Sequence, residues 1–597
     1  MEKITKTPDL KIQTAEKNSI FRLKIYICSL KICIFNLKIC IFSLKIEFSQ
    51  ATSKFFLRQN RFSFSNIKNF LYLCIIEIIW QHLIDLYMKT HLILGGLAAS
   101  SLFVAAEERP NVIVFLVDDM GLMDTSCPFL TDSLGNPVRH ALNDWYHTPN
   151  MERLAAQGIR FSTFYANSVS SPSRASIMTG QSSARHHTTN WINSETNNRD
   201  QYGPYAWNWQ GLTTKDLTLP RLLKTQGYKT IHVGKAHFGC MGSEGEIPKN
   251  VGYDINIAGS SIGQPGSYYG RNGYGNIQGY KPRAVPGLEK YYAEDVFLTD
   301  ALTLEANAQI DKAIEEKKPF FLYLAHYAVH APFERDERFW EHYASSDKSD
   351  AAKSFATLIE SMDKSLGDVL DHLEAKGIAE NTLIIFLGDN GSDAPLGDSR
   401  GYSSSAPLRG KKGSEFEGGM RVPCIVAWAK TNKKNTFQKK LPIPQGEIQT
   451  QMGSVLDIYP TLATLSEANI PNTHPVDGHD LHTLLTGQHD AAHEDIFLMH
   501  FPHNHRGSYF TSYREGDWKL VYYYNPEHSE RPDCILYNLK EDPYEKQEIS
   551  RKHPTQTLTL LRHMMQALEE KEAQYPVNFE GKEIRPNLSY FEEILGK

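Results

Sequence analysis

The sequence predicts an α/β fold: a large domain on a mainly parallel, buried sheet flanked by helices, then a smaller C-terminal domain with an antiparallel sheet and a helix. Short apolar runs alternate with helical patterns through most of the chain, as is typical of buried parallel strands joined by helices. After Asp495 the pattern changes to closely spaced short strands and one polar helix. A chain of 597 residues, 41% apolar and 22% charged, is long enough for both domains.

The predicted elements follow from hydrophobic periodicity. The strands of the large domain are residues 111–117, 228–234, 319–326, 382–388 and 422–428, and its helices are residues 149–157, 215–226, 354–375 and 453–468. In the smaller domain we expect strands within 496–501, 508–524 and 534–539 and a helix over 553–572. We place the large domain at residues 107–487 and the C-terminal domain at 488–597.

The N-terminal segment differs in character from the rest of the chain. Similar seven-residue units begin at Leu23, Leu30, Leu37 and Leu44, a period that could indicate a coiled coil. Each unit instead alternates apolar residues like a strand, and its lysine has almost no acidic partner to guide helix pairing. We therefore interpret residues 1–87 as a start-site artefact that translates a short DNA repeat.

A secretory signal peptide is predicted at residues 88–106. The stretch from Met88 has a basic start, an apolar run, and small Val104 and Ala106 at positions −3 and −1 of a cleavage site. A membrane anchor is the alternative, but the apolar stretch 92–106 is shorter than the ~20 residues needed to span a bilayer. We therefore expect an exported protein, periplasmic or secreted, without stable membrane insertion after cleavage.

Charge and cysteine content narrow the classes of function. Beyond residue 106 the chain has 49 Lys+Arg and 63 Asp+Glu, a net charge of −14, which argues against a general nucleic-acid or membrane-surface binder. An anionic substrate must therefore meet a local cluster of positive side chains. Cys127, Cys240, Cys424 and Cys534 lack the spacing of a zinc site, and one or two disulfides could form among them in an oxidising compartment.

Polar side chains follow four of the predicted strands. They are Asp118 and Asp119 after the first, Lys235 and His237 after the second, His330 after the third, and Asp389 with Asn390 after the fourth. Ligands of open α/β sheets bind beyond the carboxyl ends of the strands, so we expect these groups to converge. One Asp after a strand is more often a turn or cap residue, but two acidic sites favour a metal. Their oxygens suit calcium or magnesium rather than zinc.

The segment SSPSRASIMTG, residues 170–180, predicts a helix start that favours an anion. Pro172 suits the first turn and Ser171 can serve as the cap, so Ser170 lies at the positive end of the helix dipole. An anion bound there is stabilised. A helix start that is only well capped would give the same local pattern.

At this segment the sequence resembles the type I sulfatase family, whose signature is Cys or Ser, any residue, Pro, Ser, Arg, then Thr-Gly five residues further on. The matching residues are Ser170, Pro172, Ser173, Arg174, Thr179 and Gly180. The motifs VDDMG, GKAHFG, HYAVHAPF, GDNGSD and LRGKKGSEFEGGMRVP extend the resemblance, which covers Arg109 to about Ile549. It implies an alkaline phosphatase-like fold, a calcium ion, and oxidation of the signature residue to formylglycine by a maturation enzyme.

The resemblance also implies a role for each matching residue. The calcium ligands are Asp118, Asp119, Asp389, Asn390 and the modified Ser170. The groups that hold the sulfate are Lys235, His330 and Lys412, and those that position and activate the formylglycine hydrate are Arg174 and His237. One hydroxyl of the hydrate attacks sulfur and the other expels sulfate, so no stable sulfo-enzyme remains. We expect His330 to act as the general acid, assisted by Lys235 or Lys412.

The signature residue is Ser170 rather than the commoner cysteine. Activity should therefore depend on transient contact with a maturation enzyme that accepts serine, and an aerobic host without one should yield inactive protein. We expect the substrate to be a sulfated carbohydrate, because an exported enzyme with long polar and aromatic loops suits glycans better than small aryl sulfates.

Several loop residues could contact the sugar: Trp191, Trp209, His500, His503, His505 and Arg506. Residues 500–506 also fit a zinc site, but we favour a substrate loop because the carboxylates already supply the metal site. Two other functions remain open on sequence grounds. They are a phosphatase or phosphodiesterase of the same superfamily with an unmodified nucleophile, and a non-catalytic glycan-binding protein in which Ser170 is never oxidised.

Overall fold

The computed structural model describes residues 109–397 and 403–596. The predicted artefactual segment at residues 1–87 and the predicted signal peptide at 88–106 lie outside the described residues. All of the predicted site residues, from Asp118 to Arg506, lie within the two described ranges.

The strands and α-helices are numbered in chain order. The strands are β1 Asn111–Val117, β2 Ile159–Phe161, β3 Phe164–Tyr165, β4 Lys229–Gly234, β5 Ile255–Ile257, β6 Phe320–His326, β7 Thr382–Gly388, β8 Cys424–Trp428, β9 Glu447–Gln449, β10 Gly453–Ser454, β11 Ile496–Phe501, β12 Phe510–Glu515, β13 Trp518–Tyr523 and β14 Asp533–Asn538. The helices are α1 Ala141–Trp145, α2 Pro149–Gln157, α3 Ser170–Thr179, α4 Ser183–His186, α5 Leu219–Lys224, α6 Leu298–Glu315, α7 Trp340–Tyr343, α8 Asp350–Ala375, α9 Glu417–Met420, α10 Thr436–Lys440, α11 Ile458–Ser466, α12 His482–Leu485, α13 Pro554–Glu570 and α14 Leu588–Ile594.

An eight-stranded sheet in the order β5-β4-β6-β1-β7-β8-β2-β9 forms the centre of the large domain. The five strands from β5 to β7 are mutually parallel, as are β2 and β9, whereas β8 runs antiparallel to both of its neighbours. Strands β4, β6 and β7 are buried along their whole length, as expected when helices cover both faces. The predicted α/β fold with a mainly parallel sheet is confirmed.

Helices pack on both faces of this sheet. In β1, Ile113 and Phe115 point into an apolar core shared with α6 and α8, while Val112 and Val114 point into a second core shared with α3, α5 and α11. Side chains alternate between the faces of a strand, so every residue of β1 beyond Asn111 is buried. The residues that follow β1 are therefore held by close packing on both sides.

A four-stranded antiparallel sheet, β11-β12-β13-β14, forms the centre of the C-terminal region. Leu561 and Met564 of α13 pack against Leu520 on one face of this sheet. On the other face, Val521 shares a cluster with Tyr165 of the large domain. The predicted antiparallel sheet with its helix is confirmed, and the domain boundary at residue 487 stays a prediction.

Two predicted helices differ from the structure. The helix predicted at 453–468 is wrong at its start, because Gly453 and Ser454 pair with β3 as strand β10. Asp457 then accepts a hydrogen bond from the backbone N of Ser454 at 2.6 Å, and α11 begins only at Ile458. The helix predicted at 215–226 is shorter, because α5 begins after Thr218 and has Pro220 in its first turn.

The cysteines and helices of the described part give two further findings. Cys127, Cys240, Cys424 and Cys534 are buried free thiols, so the disulfides considered from sequence do not form in this structure.

Over residues 109–397 and 403–596, each helix is too short or too polar to cross a bilayer.

Candidate active site

The predicted site residues meet at one edge of the central sheet. Strands β4, β6, β1 and β7 are adjacent and parallel, so their carboxyl ends lie side by side. Lys235 follows β4, Asp118 follows β1 and Asp389 follows β7. Helix α3 adds Ser170, and the loop before α9 adds Lys412.

Three aspartates form a buried acidic cluster. One carboxylate oxygen each of Asp118, Asp119 and Asp389 lies within 4.8 Å of the other two, and all three side chains are buried. Asn390 joins them by donating a hydrogen bond from Nδ2 to Asp119 Oδ1 at 2.9 Å. Asp119 has a φ of 62°, a left-handed conformation that Asp tolerates better than most residues. The chain thereby turns so that consecutive aspartates both reach the cluster.

Three buried cations face the three aspartates. The nearest contacts are Lys235 with Asp118 at 2.7 Å, Lys412 with Asp119 at 2.8 Å, and Arg174 with Asp389 at 2.8 Å. The formal charges of these six side chains cancel, as burial of charge requires.

Burial strongly affects the protonation of the Asp118 and Lys235 pair. It raises the pKa of the Asp118 carboxyl to about 8 and lowers the pKa of the Lys235 ammonium to about 8. Burial also raises the pKa of Asp389, but the charges of Arg174 and Lys235 outweigh it and hold that pKa below its usual range. A bound cation would favour the ionised form of Asp118.

Ser170 begins α3 inside this cluster. Its Oγ lies 3.0 Å from Asp118 Oδ1 and 3.1 Å from Asn390 Oδ1, and it accepts a hydrogen bond from Lys235 Nζ at 3.2 Å. As the first residue of a ten-residue helix, Ser170 lies at the positive end of the helix dipole. The expectation that Ser171 caps this helix is wrong, because the cap position is Val169.

Arg174 lies one turn after Ser170 on the same face of α3. Its Nε donates to Asp389 Oδ2 at 2.9 Å, and a terminal nitrogen donates to the carbonyl of Lys235 at 2.8 Å. The guanidinium therefore connects the helix to the ends of β7 and β4. No part of the Arg174 side chain is exposed.

His237 lies beside Ser171 rather than Ser170. Both ring nitrogens are 3.3 Å from Ser171 Oγ, and Nε2 is 2.6 Å from the carbonyl oxygen of Ile192. Burial holds the pKa of His237 well below its usual range, so the ring is neutral and donates from Nε2 to Ile192. Contact of His237 with residue 170 stays a prediction.

The side chain of His330 is 15% exposed, whereas those of Asp118, Asp119 and Lys235 are at most 1% exposed. Lys412 Nζ donates to His330 Nε2 at 3.1 Å, and His330 Nδ1 donates to the carbonyl of Ala331 at 3.0 Å. Burial lowers the pKa of His330 to about 4. Burial also raises the pKa of Asp119, but His330 and Lys412 outweigh it and lower that pKa to about 2.

Two of the predicted sugar-contacting residues lie together near Lys412. Trp191 Nε1 donates a hydrogen bond to His505 Nδ1 at 3.3 Å. The His505 ring packs against Gly413, the residue after Lys412, so closely that a Cβ at position 413 would be 2.7 Å from it. Burial, followed by the charges of Arg506 and Lys412, lowers the pKa of His505 to about 4. Trp209 instead packs in a small cluster and donates to the carbonyl of Asn193 at 2.9 Å.

Arg506 is held by a carboxylate that the sequence analysis did not single out. Its guanidinium contacts both oxygens of Asp393, at 2.6 and 2.9 Å, and also donates to the carbonyl of Lys412 at 3.3 Å. Asp393 belongs to the GDNGSD motif that supplies Asp389 and Asn390, and that motif was the available signal. The pair ties a loop of the C-terminal region to the loop that carries Lys412.

His500 and His503 are fully buried. His500 Nδ1 lies 2.8 Å from Thr511 Oγ1, and His503 Nε2 lies 2.8 Å from Thr189 Oγ1. In the described ranges, the side-chain groups placed to hold a metal ion do not include these histidines, so the zinc alternative for residues 500–506 has no geometric support. Substrate contact by either ring stays a prediction.

The acidic cluster fits a hard divalent cation. Its candidate donors are three carboxylates, the Asn390 amide oxygen and Ser170 Oγ, which are all oxygen ligands of the kind that calcium and magnesium prefer. The carboxylate oxygens already lie close enough to share one ion. The buried aspartates could therefore bind a divalent metal ion.

Comparison with known proteins agrees with this geometry. Residues 110–468 match the model of the protein family Sulfatase. Residues 411–574 match the model of a second family, N-sulphoglucosamine sulphohydrolase, C-terminal. The N-acetylgalactosamine-6-sulfatase of Mus musculus is 32% identical over 410 residues, which cover 66% of this chain and 69% of that protein.

Two solved structures show the shared fold. Ps i-CgsB in complex with k-i-k-neocarrahexaose is 23% identical with a TM-score of 0.60, covering 82% of this chain and 98% of that one. The phosphonate monoester hydrolase of Agrobacterium radiobacter is 18% identical with a TM-score of 0.52, covering 78% and 96%. The alkaline phosphatase-like fold is thus confirmed. Because the first family model covers more than half of the chain, the chain belongs to the sulfatase family, enzymes that hydrolyse sulfate esters.

Proposed function

We propose that this sulfatase is exported and removes sulfate from a carbohydrate, using a formylglycine made from Ser170 and a bound calcium ion. The observation that carries the proposal is the position of Ser170 Oγ, buried at the start of α3 between Asp118, Asn390 and Lys235. An ordinary serine would leave a stable sulfo-enzyme. A formylglycine hydrate at residue 170 would supply two hydroxyls, one to displace the alcohol from sulfur and one to release sulfate as the aldehyde re-forms.

The proposed calcium ligands are Asp118, Asp119, Asp389, Asn390 and the oxidised Ser170. Calcium is the better candidate because magnesium usually keeps several waters and takes only one or two carboxylates, whereas this pocket is buried and holds three. When bound, the ion polarises the oxygens of the sulfate group.

The buried cations are proposed to bind the sulfate group. Lys235 contacts Asp118 and Lys412 contacts Asp119, and each ammonium can turn from its carboxylate to the sulfate oxygens. Arg174 keeps the start of α3 in place. These charges are positioned before the substrate arrives, and removing one such contact typically costs on the order of 100-fold in rate.

His330 is proposed to protonate the departing oxygen of the sugar. It is partly exposed, so a substrate can reach its Nε2. Because burial lowers the pKa of His330 to about 4, Nε2 carries no proton of its own, and Lys412 Nζ at 3.1 Å would supply the proton as the sugar oxygen departs. His237 is proposed to position the modified residue 170 indirectly, through its contact with the neighbouring Ser171.

A sulfated glycan is the proposed substrate. One relative is an N-acetylgalactosamine-6-sulfatase, and a structural neighbour was solved with an oligosaccharide. Trp191 and His505 provide an aromatic and polar surface near Lys412, which suits a sugar ring. Export through the signal peptide at residues 88–106 fits a glycan found outside the cytoplasm.

The proposal is tested by peptide mass spectrometry of residues 170–180 from protein made in its native host. We expect residue 170 to weigh less than serine by two hydrogens, and to remain serine in an aerobic host that lacks a maturation enzyme for Ser170. Unmodified, active protein would instead favour a phosphatase or phosphodiesterase, and unmodified, inactive protein from the native host a glycan-binding role.

A pair of variants on α3 adds a functional readout. Ser170→Ala should abolish sulfate release without loss of folding. Ser176→Ala is the matched control, because its Oγ contacts His186 at 3.1 Å, outside the acidic cluster. Full activity of the Ser170→Ala variant contradicts the mechanism.

A further inference from the structure

A second group of possible metal ligands lies outside the acidic cluster. His147 in the link between α1 and α2, His342 on α7, and Glu360 on α8 each place one ligand atom within 4.8 Å of the other two. The Nδ1 atoms of His147 and His342 lie 2.8 and 2.9 Å from the same oxygen of Glu360. Two imidazoles on separate segments therefore converge on one carboxylate.

The charge of Glu360 is not balanced by a permanent cation. Its side chain is only 7% exposed, whereas those of His147 and His342 are 57% and 52% exposed. Within residues 109–397 and 403–596, Glu360 forms ion pairs with these two histidines and with no Lys or Arg. A buried carboxylate normally has a permanent cation or a metal as its partner. A positive ion between the three side chains would supply the missing charge.

The donor types and their spacing fit zinc. Two imidazole nitrogens and one carboxylate oxygen form a mixed nitrogen and oxygen set that zinc accepts, unlike the all-oxygen set of the acidic cluster. Ligand atoms of a tetrahedral zinc stand roughly 3.3 Å apart, given zinc-ligand distances of about 2.0–2.1 Å. The two nitrogen-oxygen separations of 2.8 and 2.9 Å need to widen by only about half an ångström, and the two imidazole nitrogens lie within 4.8 Å of each other. Both imidazoles are exposed enough to turn by that amount.

We propose that His147, His342 and Glu360 bind a zinc ion, with water as the fourth ligand. Asp363, one turn after Glu360 on α8, already accepts hydrogen bonds from the backbone of Asn150 and Met151 at the start of α2. The zinc ion adds a connection from α8 to the short helix α7 and to the segment that leads into α2. It is a structural site, and the proposed sulfatase chemistry does not depend on it.

The test uses the full protein with calcium present and a metal buffer that controls free zinc. Elemental analysis after dialysis should find one zinc bound per chain in the wild type, and none in the variants His147→Ala and His342→Ala. The variant His372→Ala is the matched control, because His372 also lies on α8 and contacts one carboxylate, Asp311, but has no second histidine. It should keep the zinc.

Two further measurements distinguish a bound zinc ion from a set of hydrogen bonds among the three side chains, and from misfolding of the variants. Cobalt in place of zinc should give the visible absorption of a tetrahedral nitrogen and oxygen site, which an all-oxygen site in the same protein does not produce. Zinc should raise the melting temperature of the wild type and of His372→Ala, but not that of His342→Ala. The proposal is overturned if the folded wild type binds no zinc beyond that bound by His342→Ala, because the cluster is then a set of hydrogen bonds alone.

Discussion

Replacing Lys519 with methionine should destabilise the protein far more than the loss of an ordinary surface lysine. Lys519 on β13 is buried, and its ammonium contacts Glu417 at 3.0 Å and Glu545 at 2.7 Å. The three side chains join the C-terminal sheet to α9 and to the segment before α13. Without the ammonium, two buried carboxylates face each other with reduced compensation.

The magnitude depends on the charges that remain in the variant. Removing one partner of a buried ion pair costs about 3–5 kcal/mol, because the remaining charge is buried without its partner. The chain from Glu108 to Lys597 has about 490 residues. With an unfolding entropy of about 2.1 cal/mol/K per residue, each kcal/mol of destabilisation lowers its melting temperature by about 1 °C. We expect a decrease of about 3–5 °C for Lys519→Met.

The pH dependence gives a second, signed expectation. Burial raises the pKa of Glu545 to about 7 even with Lys519 present, so protonation of Glu545 stabilises the fold at low pH and this stabilisation is lost as the pH rises through that value. Loss of Lys519 raises this pKa further. The stability difference between variant and wild type should therefore grow as the pH rises above about 7.

Thermal unfolding followed by circular dichroism tests both expectations. Lys546→Met is the matched control, because Lys546 is an exposed lysine next to Glu545 in sequence. The double variant Lys519→Met/Glu545→Gln should recover part of the loss, since it removes one of the two carboxylates. The reasoning is refuted if Lys519→Met is no more destabilising than Lys546→Met, or if the double variant is the least stable of all.

Two predictions concern the acidic cluster. Removing calcium with a chelator should abolish sulfate release and lower the melting temperature, and calcium should restore both better than magnesium; an unchanged rate after verified metal removal argues against a metal site. Arg174→Lys should lower kcat on the order of 100-fold, because lysine cannot contact Asp389 and the carbonyl of Lys235 together. Near-normal kcat in a folded Arg174→Lys variant contradicts the positioning role.

Much of the fold could be predicted because its central strands are long apolar runs. Strands β1 and β7 match the predicted residues 111–117 and 382–388, since polar residues bound both runs. Strand β10 could not be predicted, because Gly453 and Ser454 form it only through pairing with β3, which is distant in sequence. The local pattern does not contain such tertiary information. Helix α6, in contrast, was not among the predicted helices although its buried residues Leu298, Ala301, Leu302 and Ala306 recur at helical spacing.

The candidate site divides in the same way. The meeting of Asp118, Lys235 and Asp389 follows from the rule that strand ends share one edge of a parallel sheet. The pairing of Arg506 with Asp393 depends on loop conformations, which no periodicity in the sequence encodes. The same holds for the contact of His237 with Ser171. The predictable residues of the site follow directly after strands, whereas the contacts that could not be predicted depend on the conformations of loops.

The enclosure of Ser170 has a consequence for the order of events in biosynthesis. Its hydroxyl contacts Asp118 after β1 and Asn390 after β7, which meet only when β7 has paired with β1, and β7 is synthesised after α3. Pairing between strands so distant along the chain is slow, so residues 170–180 stay accessible for a time in the nascent protein. We expect oxidation of Ser170 to be confined to this interval. If activity requires the proposed oxidation, a chain that completes its sheet unmodified would stay inactive, and the yield of active enzyme would depend on the relative rates of folding and modification.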